Sequence, residues 1–227
     1  NEKWFITGAT VTGKSHIQNN TPCQDYHAYE MIDEQWGIAI VADGAGSYKH
    51  SEKGSEFVAQ TALEKFKALV EQKEWAKNNQ FPEQKEWEEE ARTMLLKVQE
   101  KLIVYAHKEN LPFKELGCTV IVMIFSPKGL LVSHIGDGRA GYCNDKNEWK
   151  AAIDPFEGEQ VGSTVFITLD IENNPELIRS HVIQEPIKAI TVLSDGCERI
   201  AWNRVKQTEN SKFEKINQPF PDFYNAT

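Results

Sequence analysis

The sequence predicts a layered α+β fold, and two observations carry this prediction. Strand-like segments come first, two helix-like segments follow, and a long series of strand-like segments completes the chain. This segregated order is typical of α+β domains rather than of alternating βαβ units. The second observation is a hairpin, residues 117–125 and 130–135, that is apolar almost throughout. Strands of this kind are buried on both faces, which requires a layer on each side of the hairpin.

Three strands are predicted in the N-terminal part of the chain, at residues 4–11, 26–32 and 36–41. The last two are joined by a turn short enough to make them an antiparallel pair. Asp25 stands at the start of one, and Asp43 stands just past the end of the other. In such a pair the start of one strand lies beside the end of its partner, so the two carboxylates are expected to lie close together.

Two amphipathic helices are predicted in the middle of the chain, because apolar residues recur there at steps of three and four. The first begins near Ser51, and its apolar stripe consists of Ala59, Leu63, Phe66 and Val70. The second lies between Pro82 and Pro112, and its stripe consists of Trp87, Ala91, Met94, Val98, Leu102 and Tyr105. Both helices are expected to cover a sheet with these stripes.

Beyond the hairpin, apolar segments bounded by turn residues predict further strands at residues 139–143, 149–153, 165–169, 180–183 and 187–193. A short helix is predicted at residues 197–202. After Asn203 the apolar density falls, and the Pro-Phe-Pro segment at residues 219–221 is typical of irregular chain.

Composition limits the classes of function. The 25 Lys and Arg against 34 Asp and Glu give a net charge of −9, which argues against nucleic acid or an anionic membrane as a partner. No apolar segment approaches the roughly 20 residues of a membrane span, so a soluble, cytoplasmic protein is expected. The four cysteines show no Cys-x-x-Cys spacing, which favours neither zinc nor disulfides. Length and 40% hydrophobic content favour a single domain, whose oligomeric state stays open.

Candidate chemistry lies at three Asp-Gly pairs, which begin at Asp43, Asp137 and Asp195. Each pair follows an apolar, strand-like run. One Asp-Gly pair alone is more often a simple turn, but three in this pattern predict carboxylates gathered at one end of a sheet. Oxygen ligands of this kind suit hard cations such as Mg²⁺ and Mn²⁺. Two such ions can activate a water and clamp a phosphoryl group.

Five motifs, in this order, resemble those of the metal-dependent Ser/Thr phosphatases of the protein phosphatase 2C family, in its shorter bacterial branch. They span residues 24–198 and read QD at 24–25, VADGAGS at 41–47, GCTVIV at 117–122, HIGDGRAGY at 134–142 and VLSDGCE at 192–198. The resemblance implies two antiparallel β-sheets packed face to face with helices outside. It also implies a single phosphatase-like catalytic domain over residues 1–227, which is expected to lack its C-terminal end.

The resemblance further implies a role for each matched residue. Asp43 would bridge two metal ions, the carbonyl of Gly44 would bind the second ion, and Asp195 would bind the first. Asp137 matches the aspartate near a third metal position, and Asp25 matches the one that holds water on the metals. The implied cofactors are two Mn²⁺ or Mg²⁺ ions, with room for a third, and the implied substrate is a phosphorylated protein.

Three departures from the family pattern bear on activity. Gln24 stands where better-known members carry Glu, so this potential metal ligand is neutral. Asn20 stands where they carry a phosphate-binding Arg. The family's last metal-binding aspartate normally follows the motif of Asp195, but no Asp-Asp or Asp-Asn segment is present there. Asp222 is a poor candidate for this ligand, because it lies among prolines and aromatics. The weak candidates for binding the phosphate are Lys49, His50, Lys53 and Arg139, of which Arg139 is more typical of an ion pair.

These departures keep two alternatives open beside an active phosphoprotein phosphatase. One is a catalytically weak relative that binds phosphorylated partners or acts as a regulatory module. The other, outside the family, is a different metal-dependent phosphoesterase or simply a metal-stabilised domain.

Overall fold

The computed structural model describes residues 4–156, 164–207 and 213–225. Over these residues the helices are α1 (Lys14–Gln18), α2 (Ser51–Gln72), α3 (Trp75–Asn78), α4 (Gln84–Lys108), α5 (Glu198–Ala201) and α6 (Pro221–Asn225). The strands are β1 (Asp25–Met31), β2 (Gly37–Asp43), β3 (Val120–Ser126), β4 (Gly129–Ile135), β5 (Arg139–Asn144), β6 (Trp149–Ala151), β7 (Arg179–Ile183), β8 (Ile187–Leu193), β9 (Trp202–Gln207) and β10 (Phe213–Pro219).

The strands form antiparallel sheets, and the α+β fold class is confirmed. The larger sheet has the order β1-β2-β3-β4-β7, and a second sheet has the order β6-β5-β8. Strands β9 and β10 form a separate two-stranded sheet. The predicted pairing of the two strands near the N-terminus and the predicted buried hairpin are both present, as β1–β2 and β3–β4.

Strand β3 shows why the sheets are layered. Every residue of β3 is buried, and successive side chains point to opposite faces. Val120, Val122 and Ile124 join the hydrophobic cluster that contains the two long helices. The alternate residues join a second cluster with side chains of the smaller sheet, such as Ala140 and Tyr142. The hairpin is therefore covered by helices on one side and by the second sheet on the other.

The two predicted helices are confirmed as α2 and α4. Their buried residues follow the predicted stripes, including Phe66 on α2 and Leu102 on α4, both with no exposed surface. Trp87 of α4 also donates its indole N–H to the carbonyl of Val132 in the sheet, at 2.9 Å. Among the described residues, no helix is long and apolar enough to cross a membrane.

Two predicted strands are wrong. Residues 4–11 form no strand. Trp4 and Ile6 pack on the second cluster through their side chains, and residues 4–9 line a cavity of about 790 Å³ together with residues of β1 and β8. Residues 165–169 also form no strand, since Gln99 of α4 donates its amide to the carbonyls of Ile167 and Leu169 at 2.5 and 2.6 Å. The apolar pattern indicated the burial of Val165 and Ile167 correctly, but Phe5, Val11 and Leu169 are exposed.

The expectation of irregular chain at residues 219–221 is wrong for two of the three residues, since Pro219 belongs to a strand and Pro221 to a helix. The last part of the chain forms β9, β10 and α6. Trp202 is buried and donates its indole N–H to Asn217 Oδ1 at 2.7 Å, which ties the two strands together. Pro219 ends β10 and Pro221 begins α6, a position that proline favours because it needs no backbone N–H there. The short predicted helix before it is confirmed as α5.

A substitution at Gly54 tests the packing of α2 against the turn before β3. A Cβ at Gly54 would lie 2.0 Å from the carbonyl oxygen of Leu116, which is backbone. Gly54→Ala is expected to lower the free energy of unfolding by about 1–3 kcal/mol through overpacking, although alanine has the higher helix propensity. Gly13→Ala, where a Cβ meets nothing within 4 Å, is the control. Urea denaturation of both variants measures this, and a stabilised Gly54→Ala protein would contradict the packing.

Candidate active site

The antiparallel pair β1–β2 brings Asp25 and Asp43 together. Asp25 is the first residue of β1, Asp43 is the last residue of β2, and the two are direct cross-strand partners. Cross-strand partners have Cβ atoms about 5 Å apart on the same face. The proximity predicted from the sequence is therefore a direct result of the register of this pair.

Asp195 reaches the same place from the second sheet. It begins a 3-10 turn just after β8 ends. The side chain of Asp43 lies within hydrogen-bonding reach of both Asp25 and Asp195, so Asp43 is the centre of the group. Asp137, in the turn between β4 and β5, is close enough to Asp195 for their charges to interact. Within the described part of the chain, however, no group of three or more His, Cys, Asp or Glu side chains is arranged so that it could hold a metal ion.

Burial and like charge raise the pKa values of Asp25, Asp43 and Asp137. The pKa of Asp43 is raised to about 9, first by burial and then by the negative charges of Asp25 and Asp195. Burial is also the largest cause of the raised pKa of Asp25, where the charge of Asp195 adds to it. The pKa of Asp137 is raised by burial and again by Asp195. The four carboxyl groups therefore form one electrostatic unit in which a cation would be strongly favoured.

Gln24 links this site to the start of α2. Its side-chain amide donates to Ser51 Oγ at 2.6 Å and to the carbonyl of Tyr48 at 3.2 Å, with the carbonyl of Ala45 at 3.4 Å. Its backbone carbonyl accepts from Ser55 Oγ at 2.6 Å. The residue is buried, and its Oε1 has no hydrogen-bond partner among the described residues. Gln24 therefore has both a structural role through its N–H groups and a carbonyl oxygen available to a ligand.

Gly44 lies directly after Asp43 in a tightly packed turn. Its N–H donates to the carbonyl of Gln24 at 3.0 Å, and a Cβ would lie 2.7 Å from that same oxygen and 2.8 Å from the carbonyl of Ser51. A larger residue would push the start of β1 and α2 away from the end of β2. The glycine thus permits the close approach on which the position of Asp43 depends.

The basic residues considered for phosphate binding are partly engaged elsewhere. Arg139 is buried and forms an ion pair with Glu198. Lys49 is exposed, and its backbone N–H donates to Glu115 Oε2 at 2.7 Å. His50 immediately precedes α2, and its backbone N–H donates to the carbonyl of Glu115.

Two residues near the carboxylates were missed by the sequence reasoning. His16, on the short helix α1, is close enough to Asp25 for its charge to act on that carboxyl group. The pKa of the Cys197 thiol is raised by burial and by the charges of Asp25 and Asp195, so this residue also lies near the carboxylates. His16 stands in none of the five motifs, and Cys197 lies within the motif at residues 192–198 without a role assigned to it there. A signal in the sequence existed only for Cys197, which follows the predicted site residue Asp195 by two positions.

The chemical types of the donors suit a hard divalent cation. The side-chain donors are carboxylate oxygens and the Oε1 of Gln24, which are the ligand types that Mg²⁺ and Mn²⁺ prefer. The mutual repulsion that raises the pKa of Asp43 is the kind of unfavourable charge that a bound cation offsets.

Comparison with known families agrees with this geometry. The family model of protein phosphatase 2C matches residues 12–226. The chain belongs to this family. Protein phosphatase 2C members are metal-dependent, so the chain is a metal-dependent protein phosphatase and the resemblance seen in the sequence motifs is confirmed. This family membership rests on a match to nearly the whole chain rather than to the motifs alone.

One curated relative agrees with this assignment, and two solved structures share the fold. The chain is 28% identical over 229 residues to serine/threonine-protein phosphatase 3 of Escherichia coli (strain K12), covering 98% of this chain and 83% of that protein. A single-residue variant of a bacterial serine phosphatase has the same fold, with a TM-score of 0.56 and 18% identity over 79% of this chain and 73% of that one. A C. elegans sex determining protein has a TM-score of 0.51 at 13% identity, over 79% of this chain and 50% of that one.

Replacement of Gln24 by the family's usual glutamate tests its structural role. Gln24→Glu removes the N–H donors to Tyr48 and Ser51 and places a carboxylate beside backbone carbonyls. In metal-free protein it is expected to lower the free energy of unfolding by about 1–3 kcal/mol at pH 7. The loss should shrink at low pH as the new carboxylate becomes protonated. Urea denaturation measures it, with the exposed Gln18→Glu as control; equal stability of the two variants would rule out the structural role.

The raised pKa of Asp43 predicts how metal-free protein responds to pH. Because the folded-state pKa is about 9 and the ordinary value is about 4, the folded state retains a proton that the unfolded state loses. Stability should therefore fall as pH rises from about 4 to about 9. Each pH unit within this window is worth up to about 1.4 kcal/mol, so Asp43→Asn should be the more stable protein at high pH.

Urea denaturation of wild type and Asp43→Asn at pH 5, 7 and 8.5, with a metal chelator present to keep both proteins metal-free, checks this expectation. The two proteins should differ little at pH 5 and increasingly above it. Parallel pH profiles for wild type and Asp43→Asn would show that Asp43 titrates normally.

Proposed function

We propose that this protein hydrolyses phosphoserine and phosphothreonine in protein substrates, with Mn²⁺ or Mg²⁺ held by the acidic cluster. The observation that carries the proposal is the convergence of Asp25, Asp43 and Asp195 from three separate strand ends, within a chain of the protein phosphatase 2C family. When bound, such ions lower the pKa of a water and neutralise charge on a phosphoryl group. No nucleophilic side chain is then required.

Within this proposal each carboxylate has a distinct place. Asp43 is central, since it lies between Asp25 and Asp195, and it would be shared by two ions. Asp195 would hold the first ion, and the carbonyl of Gly44 would hold the second. Asp25, fixed by its register with Asp43, would orient the attacking water. Asp137 would contribute to a third position near Asp195.

Gln24 is the proposed neutral ligand of the second ion. Its amide N–H groups are already used by Tyr48 and Ser51, which leaves Oε1 as the atom available to a cation. A carbonyl oxygen supplies less charge than the usual carboxylate, so this ion would be held more weakly. The same contacts give Gln24 a structural reason to be present, which removes one argument for the catalytically weak alternative.

Replacement of the central carboxylate tests the proposal. Asp43→Asn should lower phosphatase activity by about 10³-fold or more, because the shared ligand organises both the water and the charge of the transition state. Asp145→Asn, on an exposed loop, should leave activity unchanged. Release of phosphate is measured with Mn²⁺ from a phosphoserine peptide and from p-nitrophenyl phosphate. Wild-type turnover in Asp43→Asn would refute this site, and hydrolysis of nucleotides alone would favour another phosphoesterase.

A further inference from the structure

A buried ion pair connects two of the turns that carry site aspartates. Arg139 is the first residue of β5 and follows Asp137 by two positions. Glu198 is the first residue of α5 and follows Asp195 by three positions. The two side chains form an ion pair, and both residues are almost completely buried, at 6% and 8% exposure. The pair thus joins the turn between β4 and β5 to the turn after β8.

The guanidinium group of Arg139 acts on both turns at once. One terminal nitrogen, Nη2, contacts Glu198, and the other, Nη1, donates to the backbone carbonyl of Asp137 at 3.3 Å. The planar guanidinium fixes the angle between these two contacts, which a lysine could not do. Strand pairing adds a further link close by, since Arg139 is the cross-strand partner of Leu193.

Stability alone does not explain a buried ion pair at this position. Taking two charges out of water costs several kcal/mol, and apolar residues of similar volume are often at least as stabilising. Buried pairs of this kind can instead fix one geometry among several. The geometry that matters here is local, because Asp137 and Asp195 carry like charges that act on one another. Without a restraint, two such carboxylates would separate when no cation lies between them.

We propose that the Arg139–Glu198 pair is a positioning device that holds Asp137 and Asp195 at the spacing needed to share a divalent cation. The proposal rests on the metal site described under the proposed function. Neither Arg139 nor Glu198 would touch the cation. They act through the backbone turns that carry the two aspartates, and the charge of Arg139 also acts on the carboxyl group of Asp137. The free energy needed to bring the carboxylates of Asp137 and Asp195 together is then supplied by folding, so it does not reduce the affinity for the cation. This accounts for an arginine that is buried beside the site instead of facing a phosphate.

An apolar replacement of the whole pair separates positioning from stability. In the double variant Arg139→Met, Glu198→Leu, no buried charge of the pair is left without its partner, so thermal unfolding without metal should occur near the wild-type temperature or above it. The contact to the carbonyl of Asp137 is lost as well. Calorimetric titration with Mn²⁺ should then show a Kd raised by about tenfold or more, as is typical when a residue that orients metal ligands is removed.

Two further variants complete the experiment. Leu102→Ala, in the core of α4 and fully buried, should lower the unfolding temperature but leave the Mn²⁺ affinity of the folded protein unchanged. Arg139→Lys keeps the positive charge but lacks the planar guanidinium that makes both contacts. It should raise the Kd for Mn²⁺ while unfolding near the wild-type temperature. It provides the test if the double variant does not fold.

The outcomes are distinct. A Kd within twofold of wild type in either pair variant would overturn the positioning role while leaving the metal site intact. Failure of the wild-type protein to bind Mn²⁺ would instead refute the proposed function on which this inference rests.

Discussion

The structure depends on one costly arrangement, the collection of several carboxyl groups where strands from two sheets end. Asp43 lies between Asp25 and Asp195, and its pKa of about 9 reflects burial together with their charges. Such a cluster opposes folding unless protons or cations neutralise it. The surrounding elements can be understood as the means of holding it: a fixed register between β1 and β2, a second sheet that brings Asp195 across, and apolar packing that keeps the sheets together.

Contacts of three kinds hold the cluster from different sides. The fully buried strand β3 joins the helix layer to the second sheet, which sets the distance between the layers. The amide of Gln24 joins β1 to the start of α2. The ion pair of Arg139 with Glu198 joins the turns that follow β4 and β8. The last two contacts involve residues one to three positions from an aspartate rather than the aspartate itself, so the site is positioned by its neighbours in the chain.

Much of this was predictable from the sequence where local pattern and pairing agree. The spacing of apolar residues predicted both long helices, and the short turn before β2 was sufficient to place Asp25 beside Asp43. Long-range effects were not predictable in the same way. Residues 165–169 have a strand-like pattern, but the side chain of Gln99, far away in sequence, takes two of their carbonyls. Likewise, Trp202 and Asn217 stabilise a hairpin in a segment with little apolar patterning, and nothing local indicated that His16 approaches Asp25.

The central claim is that the acidic cluster is a site for divalent cations. X-ray diffraction from crystals soaked in Mn²⁺, with anomalous differences recorded for manganese, tests it most directly. Anomalous peaks are expected about 2–2.5 Å from the carboxylate oxygens of Asp43 and Asp195, the distance range of such ligands. Well-occupied peaks elsewhere on the protein, with none between Asp43 and Asp195, would contradict it.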